Sequence, residues 1–282
     1  MFLWLFVLAL LGPCVVPEIP REVARWRLAQ ALEARQRGDR ELAHATLAKV
    51  MESLPDSPSL LLQQAEWLLE DGKTEEALAA AQRVKELIGD EPLWLMAYAQ
   101  FLQSAGQFKD AVEYFRQIEQ ISERSGNPPR AMALNGLAYA QALAQVDLAE
   151  ALQNINKALE LDPGEPALLD TRGYILYLLG QYDLALADLH AAVSAVEARS
   201  AGLLHNYRPN TERQLVPSRP KSLPAARGLS ENEAISLVAR EVAVLRYHRA
   251  LILLAKGQEK EADIDLARAR ALIGKEPDAT LF

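Results

Sequence analysis

Gly38-Asp39-Arg40-Glu41-Leu42-Ala43 sets a pattern that returns 34 residues later at Gly72 to Ala77 and again at Gly106 to Ala111, each glycine leading an alanine by five positions. The same step recurs from Gly180 to Ala185 and from Gly257 to Ala262, and Ala151 keeps the alanine with Val146 in the glycine's place. A fixed period of this length marks a repeat architecture and takes precedence over any other reading. Six units can be laid down, starting at Ala24, Pro58, Pro92, Met132, Pro166 and Ala243.

Within a unit the helical pattern runs about fourteen residues, breaks at the glycine and resumes for about fourteen more, which predicts a helix hairpin. Glycine suits the break because it enters the left-handed backbone region that ends a helix without steric cost. Val146 would be strained there, so the turn it occupies must be built differently. Small residues fall where two helices approach closely: Ala31, Ala65 and Ala99 on first helices, the Ala43 series on second helices. Leu47 with Val50, Phe115 with Ile118, Leu189 with Ala192, and Leu266 with Ala269 fill one helix face beyond them at three-residue spacing. Pro55, Pro163 and Pro277 close units, where proline removes no needed donor.

This order of small residue, glycine, alanine, large residue and proline, with Ala158-Leu159-Glu160-Leu161-Asp162-Pro163 at the end of one unit, resembles the tetratricopeptide repeat (TPR). The resemblance covers residues 24 to 199 and 243 to 276. It implies an all-α, right-handed α-solenoid of about six hairpins, each burying its apolar face against its neighbours. Two joints break the period. Starts three and four lie 40 residues apart, with a spacer around Gly126, Asn127, Pro128 and Pro129, and starts five and six lie 77 apart.

The expected organisation is therefore an apolar leader over 1–17, five units over 24–199, a basic proline-rich insert over 200–229, a long helix with the sixth unit over 230–276, and a tail over 277–282. Half of the 282 residues are hydrophobic and only 6% aromatic, as alanine- and leucine-rich helical stacks require, and strand signals are absent. A net charge of -8 argues against a nucleic-acid binder, which needs clustered Lys and Arg to neutralise phosphates.

Met1 to Val16 carries no charged side chain and stands apart from the repeats. It lacks the basic start and small-residue cleavage site of a signal peptide, and it is short for a bilayer span of about 20 residues. So apolar a start still points to export or attachment to a bacterial cell envelope. Arg21, Arg25 and Arg27 follow it, and the protein is cytoplasmic if the leader is no targeting segment. Cys14 is the only cysteine, which excludes an internal disulfide, and Pro13 stands where lipidation would need a small residue.

The insert gathers Arg208, Arg213, Arg219, Lys221 and Arg227 against Glu212, among Pro209, Pro217, Pro220 and Pro224. A mobile loop is predicted. It could grip an acidic partner or lipid headgroups, or serve as a solvated crossover. Beyond it Ser230 and Glu233 form a capping box, and Ile235, Val238, Val242 and Leu245 mark one face of a long helix.

His44, His190, His205 and His248 are scattered, with no metal-binding i, i+4 pair, and no phosphate loop, nucleophile elbow or dinucleotide fingerprint occurs. No catalytic residue, metal or cofactor is expected. Function must then lie in a surface. The resemblance implies a groove lined by the second, fifth, ninth, twelfth and thirteenth residues of each unit. The fifth unit presents Asp170, Tyr174, Tyr177 and Leu178 there, the sixth Tyr247, Leu251 and Leu254, and the first two Arg25, Arg35, Glu66 and Glu70. A groove that is charged early and aromatic late suits a peptide held by tyrosine rings and hydroxyls, although these tyrosines could instead pack against the insert. The chaperone-tail subtype of the family needs lysine and asparagine where this chain has Gly136, Ala140, Asp170 and Tyr174, and is disfavoured.

The expectation is a non-enzymatic interaction scaffold for a protein or peptide partner, with no nucleic acid bound. A self-associating module, stacking through Ile264, Leu266 and Leu272, and an accessory subunit of an enzyme are the alternatives. Deleting Arg208 to Arg227 should leave helicity and thermal melting by circular dichroism nearly unchanged; a large loss of stability would show a packed insert.

Overall fold

The computed structural model describes residues 18–204 and 231–274, and within them all regular structure is helical. Two compact units meet in sequence between Gln107 and Phe108. The first holds α1 (Glu18–Gln36), α2 (Arg40–Met51), α3 (Pro58–Glu70), α4 (Thr74–Ile88) and α5 (Pro92–Ser104). The second holds α6 (Phe108–Ser125), α7 (Arg130–Ala144), α8 (Leu148–Leu161), α9 (Pro166–Leu178), α10 (Tyr182–Leu204), α11 (Glu231–Ala255) and α12 (Glu259–Ile273). The leader, the five basic insert residues, the Ser230 cap and the tail lie outside the described residues.

The glycine breaks are one repeated device. Gly38, Gly72, Gly106, Gly180 and Gly257 all have φ between 74° and 81°. In every case the glycine N–H donates to the carbonyl three residues back and the next N–H to the carbonyl five back, as Gly38 does to Arg35 and Asp39 to Ala34. This satisfies carbonyls that the helix end would leave bare.

The turn after α7 is built differently, as a non-glycine residue there requires, and Val146 is not the residue under strain. Gln145 takes the left-handed conformation at φ 52° and donates to Ala142, while Val146 donates to Gln141. Asp147 is left-handed as well, at φ 50°. One extra residue thus lies between the left-handed position and the buried alanine of the second helix, six steps from Gln145 to Ala151 against five from Gly38 to Ala43. The register of α7 accordingly begins at Ala131 rather than Met132, which brings Ala138, fully buried, onto the position held by Ala31, Ala65 and Ala99. The extra residues before α7 go largely into α6, an 18-residue helix, and the remainder into a short loop where the buried Ser122 hydroxyl donates to the Pro128 carbonyl at 2.7 Å.

Close helix approach is visible in the small residues. Ala31, Ala43, Ala65, Ala77, Ala99, Ala111, Ala138, Ala151, Ala185, Ala250 and Ala262 have no exposed surface. In α9 the place is taken by glycine: a Cβ on Gly173 would sit 2.0 Å from Leu189 Cδ2 of α10, so the leucine side chain would have to shift. Leu47, Val50, Phe115, Ile118, Leu189 and Ala192 fill the space beyond and are buried. Pro58, Pro92 and Pro166 each open a helix at its first residue, where the missing N–H costs nothing.

In the first unit α3 packs beside α5, and in the second α9 packs beside both α7 and α11. The last two hairpins add a repeat-encoded ion pair at one register: Arg172 of α9 makes two 2.7 Å hydrogen bonds to Asp188 of α10, and Arg249 of α11 two of 2.6 Å to Asp265 of α12. Asp265 also accepts from the buried Arg246, which in turn binds Glu197 of α10. Two carboxylates and two guanidiniums thereby join three helices. α10 and α11, at 23 and 25 residues, are long, and α10 runs on to Leu204, past the point where the insert was expected to begin.

Two outcomes follow from this packing. Ala77→Leu should cost about 1–3 kcal/mol in urea denaturation, because the three added heavy atoms have no room beside a fully buried alanine. Asp265→Ala should cost about 3–5 kcal/mol by the same measurement, since it leaves the part-buried Arg249 without its carboxylate and the buried Arg246 with Glu197 alone, whereas Arg199→Ala, which breaks the exposed pair with Glu241, should cost about 1 kcal/mol or less.

Candidate partner-docking site

With α7, α9 and α11 adjacent, equal register positions form rows across the second unit. The fifth positions are Asn135, Asp170 and Tyr247, and the ninth are Tyr139, Tyr174 and Leu251. One helical turn further on, Tyr177 and Leu178 follow on α9, and Leu254 on α11.

The ninth-position row opens a continuous aromatic run. Tyr139 lies 6.4 Å from Tyr174 between ring centroids, Tyr174 stacks at 6.4 Å on Tyr177 with planes 22° apart, and Tyr177 meets Tyr182 of α10 at 5.9 Å. These separations fall in the range where ring quadrupoles attract. The four rings are half-buried, so each keeps part of its surface outward. Burial pushes the Tyr139 phenol well above the ordinary tyrosine range, with the charge of Asp170 and the neighbouring Tyr174 adding to it. Burial and Tyr177 raise Tyr174 in the same way. Both phenols therefore stay protonated donors at neutral pH.

Asp170 is fixed from behind. His248 Nδ1 lies 2.7 Å from Asp170 Oδ1, an N–H to carboxylate bond that ties α11 to α9. The histidine side chain is 6% exposed and the aspartate 19%, so the carboxylate faces outward from a buried anchor. Tyr247 packs its ring 6.2 Å from His248. Asn135 Oδ1 is buried and has no hydrogen-bond partner among the described residues. Leu178 packs against the Ile155 and Ile175 cluster, and Leu251 is half-buried.

The charged positions of the first unit have a different fate. Arg35 binds Asp71 at 2.9 and 3.1 Å, Glu70 at 2.5 Å and the Trp67 carbonyl at 3.3 Å, with its guanidinium 5.5 Å from the Trp67 ring. It thus joins α1 to the C-terminal end of α3, where the helix dipole favours a cation. His44 completes the cluster with Nε2 at 2.7 Å from Asp71. Burial alone would raise the Asp71 carboxyl, but the His44 and Arg35 hydrogen bonds and the Arg35 and Arg40 charges outweigh it and hold the group below the usual aspartate range. Arg35 and Glu70 are thereby committed to each other, while Arg25 and Glu66 remain exposed. No group of His, Cys, Asp and Glu placed to hold a metal occurs among the described residues, and no described helix is long and apolar enough to cross a membrane.

No protein-family model matches the sequence, and no curated protein does. Solved structures do. PilW, a widely conserved type IV pilus biogenesis factor, matches at a TM-score of 0.55 and 16% identity over 88% of this chain and 93% of its own. Pseudomonas aeruginosa PilF matches at 0.50 and 15% identity over 90% and 93%. Both are built of tetratricopeptide repeats. The chain has the tetratricopeptide-repeat fold. A TPR protein from Parabacteroides merdae aligns over 89% of this chain and 93% of that one, at 17% identity and a TM-score of 0.48.

Within this TPR fold the structure brings Asp170, Tyr174, Tyr177, Leu178, Tyr247 and Leu251 onto the adjacent helices α9 and α11. Two members of the surface escaped the sequence reading. Tyr139 and Asn135 were set one position out of register by taking Val146 for the glycine, whereas anchoring the unit on Ala138 would have placed them correctly. Tyr182 lies on a second helix, outside the TPR groove positions.

Proposed function

We propose that this TPR protein is a non-enzymatic interaction scaffold that docks a protein or peptide segment on the tyrosine face of α7, α9 and α11. The observation that carries this reading is the unbroken run from Tyr139 through Tyr174 and Tyr177 to Tyr182. Tyrosines supply rigid apolar area with a hydroxyl at the rim, and they order at small entropic cost, so they serve recognition of an extended or helical peptide. The groups beside them, a carboxylate anchored by a buried histidine and a carboxamide, add direction to the contact.

The apolar stretch from Met1 to Val16 supports a place for the scaffold at a bacterial cell envelope, in the assembly of a complex there. PilW, a pilus biogenesis factor, gives that reading a precedent on the same fold.

Tyr174→Ala with Tyr177→Ala tests the docking face. Truncating central interface aromatics costs about 2 kcal/mol or more per hot spot. The double variant should therefore lose partner capture in a crosslinking pull-down read by mass spectrometry, while its helicity is retained. Unchanged capture of the same partners would overturn the assignment.

A further inference from the structure

The tyrosine face has a one-sided polar chemistry. Across the second, fifth, ninth, twelfth and thirteenth positions of α7, α9 and α11 there is no lysine or arginine, and the three helices contain no lysine at all. Their arginines with assigned partners turn elsewhere: Arg130 to Glu119 and Glu123 of α6, Arg172 to Asp188 of α10, Arg246 and Arg249 to Asp265 of α12. What remains toward the face is the Asp170 carboxylate, beside the Tyr139 and Tyr174 rings.

We infer that the corner formed by Asp170, Tyr139 and Tyr174 is a binding site for a guanidinium group, and that the docked segment presents an arginine to it. The inference rests on the docking reading of this face. A guanidinium fits each element: its flat face stacks on tyrosine and is drawn to the ring quadrupole. Its edge donates in-plane hydrogen bonds to a carboxylate and tolerates partial desolvation better than an ammonium does. Asp170 has capacity left, because an ionised carboxylate accepts about four hydrogen bonds and His248 takes one. His248 also holds the carboxylate in place, so little is lost in ordering it. An anionic peptide terminus would meet the Asp170 charge with no cation to answer it.

Fluorescence anisotropy with the full-length protein tests this, using labelled leucine-rich nonapeptides identical except for a central arginine, citrulline or glutamate. Citrulline keeps the shape and removes the charge. The arginine peptide should bind about tenfold tighter than the citrulline peptide at low salt, with the preference shrinking as salt rises. Asp170→Asn should bring the two within about twofold. Equal binding of arginine and citrulline peptides, both weakened by Tyr174→Ala, would overturn the guanidinium site and leave the docking face standing. Tighter binding of the glutamate peptide would also overturn the site. Absence of binding by all three would overturn both readings. Should Asp170→Asn fail to fold, the salt dependence of the unaltered protein decides; an arginine preference over citrulline that does not shrink as salt rises would sink the inference.

Discussion

Everything in this molecule depends on two helices coming close enough for backbone to meet backbone at a fixed register. Ala31, Ala65, Ala99, Ala138 and Ala250 on first helices and the alanine after each turn are buried to the last atom, and in α9 Gly173 stands where a Cβ would press on the Leu189 side chain. Dispersion gains are small per atom pair and large when summed over such a contact. Within the second unit, repeating the contact sets hairpin against hairpin, and it leaves α7, α9 and α11 side by side with their outer residues in rows.

The turns show how this constraint is kept when the sequence departs from its pattern. Five turns use glycine at positive φ to satisfy the last carbonyls of a helix. The sixth uses Gln145 for the same two hydrogen bonds and sets the following alanine one residue further on, with Asp147 also left-handed. Left-handed backbone costs a side-chain-bearing residue roughly 1 kcal/mol or more. It is held here because the close contacts of Ala138 and Ala151 on either side fix where the helices must start.

Much of the fold was legible before any coordinates, because the glycine and alanine spacing is a direct imprint of the hairpin contact. Tyr174, Tyr177, Asp170 and Tyr247 were legible too, as positions in a register. The rest was not, for physical reasons. Val146 occupies the formal place of a glycine while Gln145 performs its role, so a one-residue slip hid Asn135 and Tyr139. His248 meets Asp170 across 78 residues of chain, which no local pattern reports. Arg35 and Glu70 read as a charged groove, yet they neutralise each other against Trp67.

The sequence by itself determined the helix hairpins, their turns and which residues are small, because these follow from contacts within about 34 residues, repeated in phase. Tertiary structure alone decided which polar groups are consumed and which face outward. Arg172, Arg246 and Arg249 look like surface charges in the chain and are bound to carboxylates of the neighbouring helices, whereas Asp170 is anchored from behind and left open among tyrosines. The energy of a charge depends on what lies within a few ångströms and how much water remains, and stacking the hairpins is what sets both.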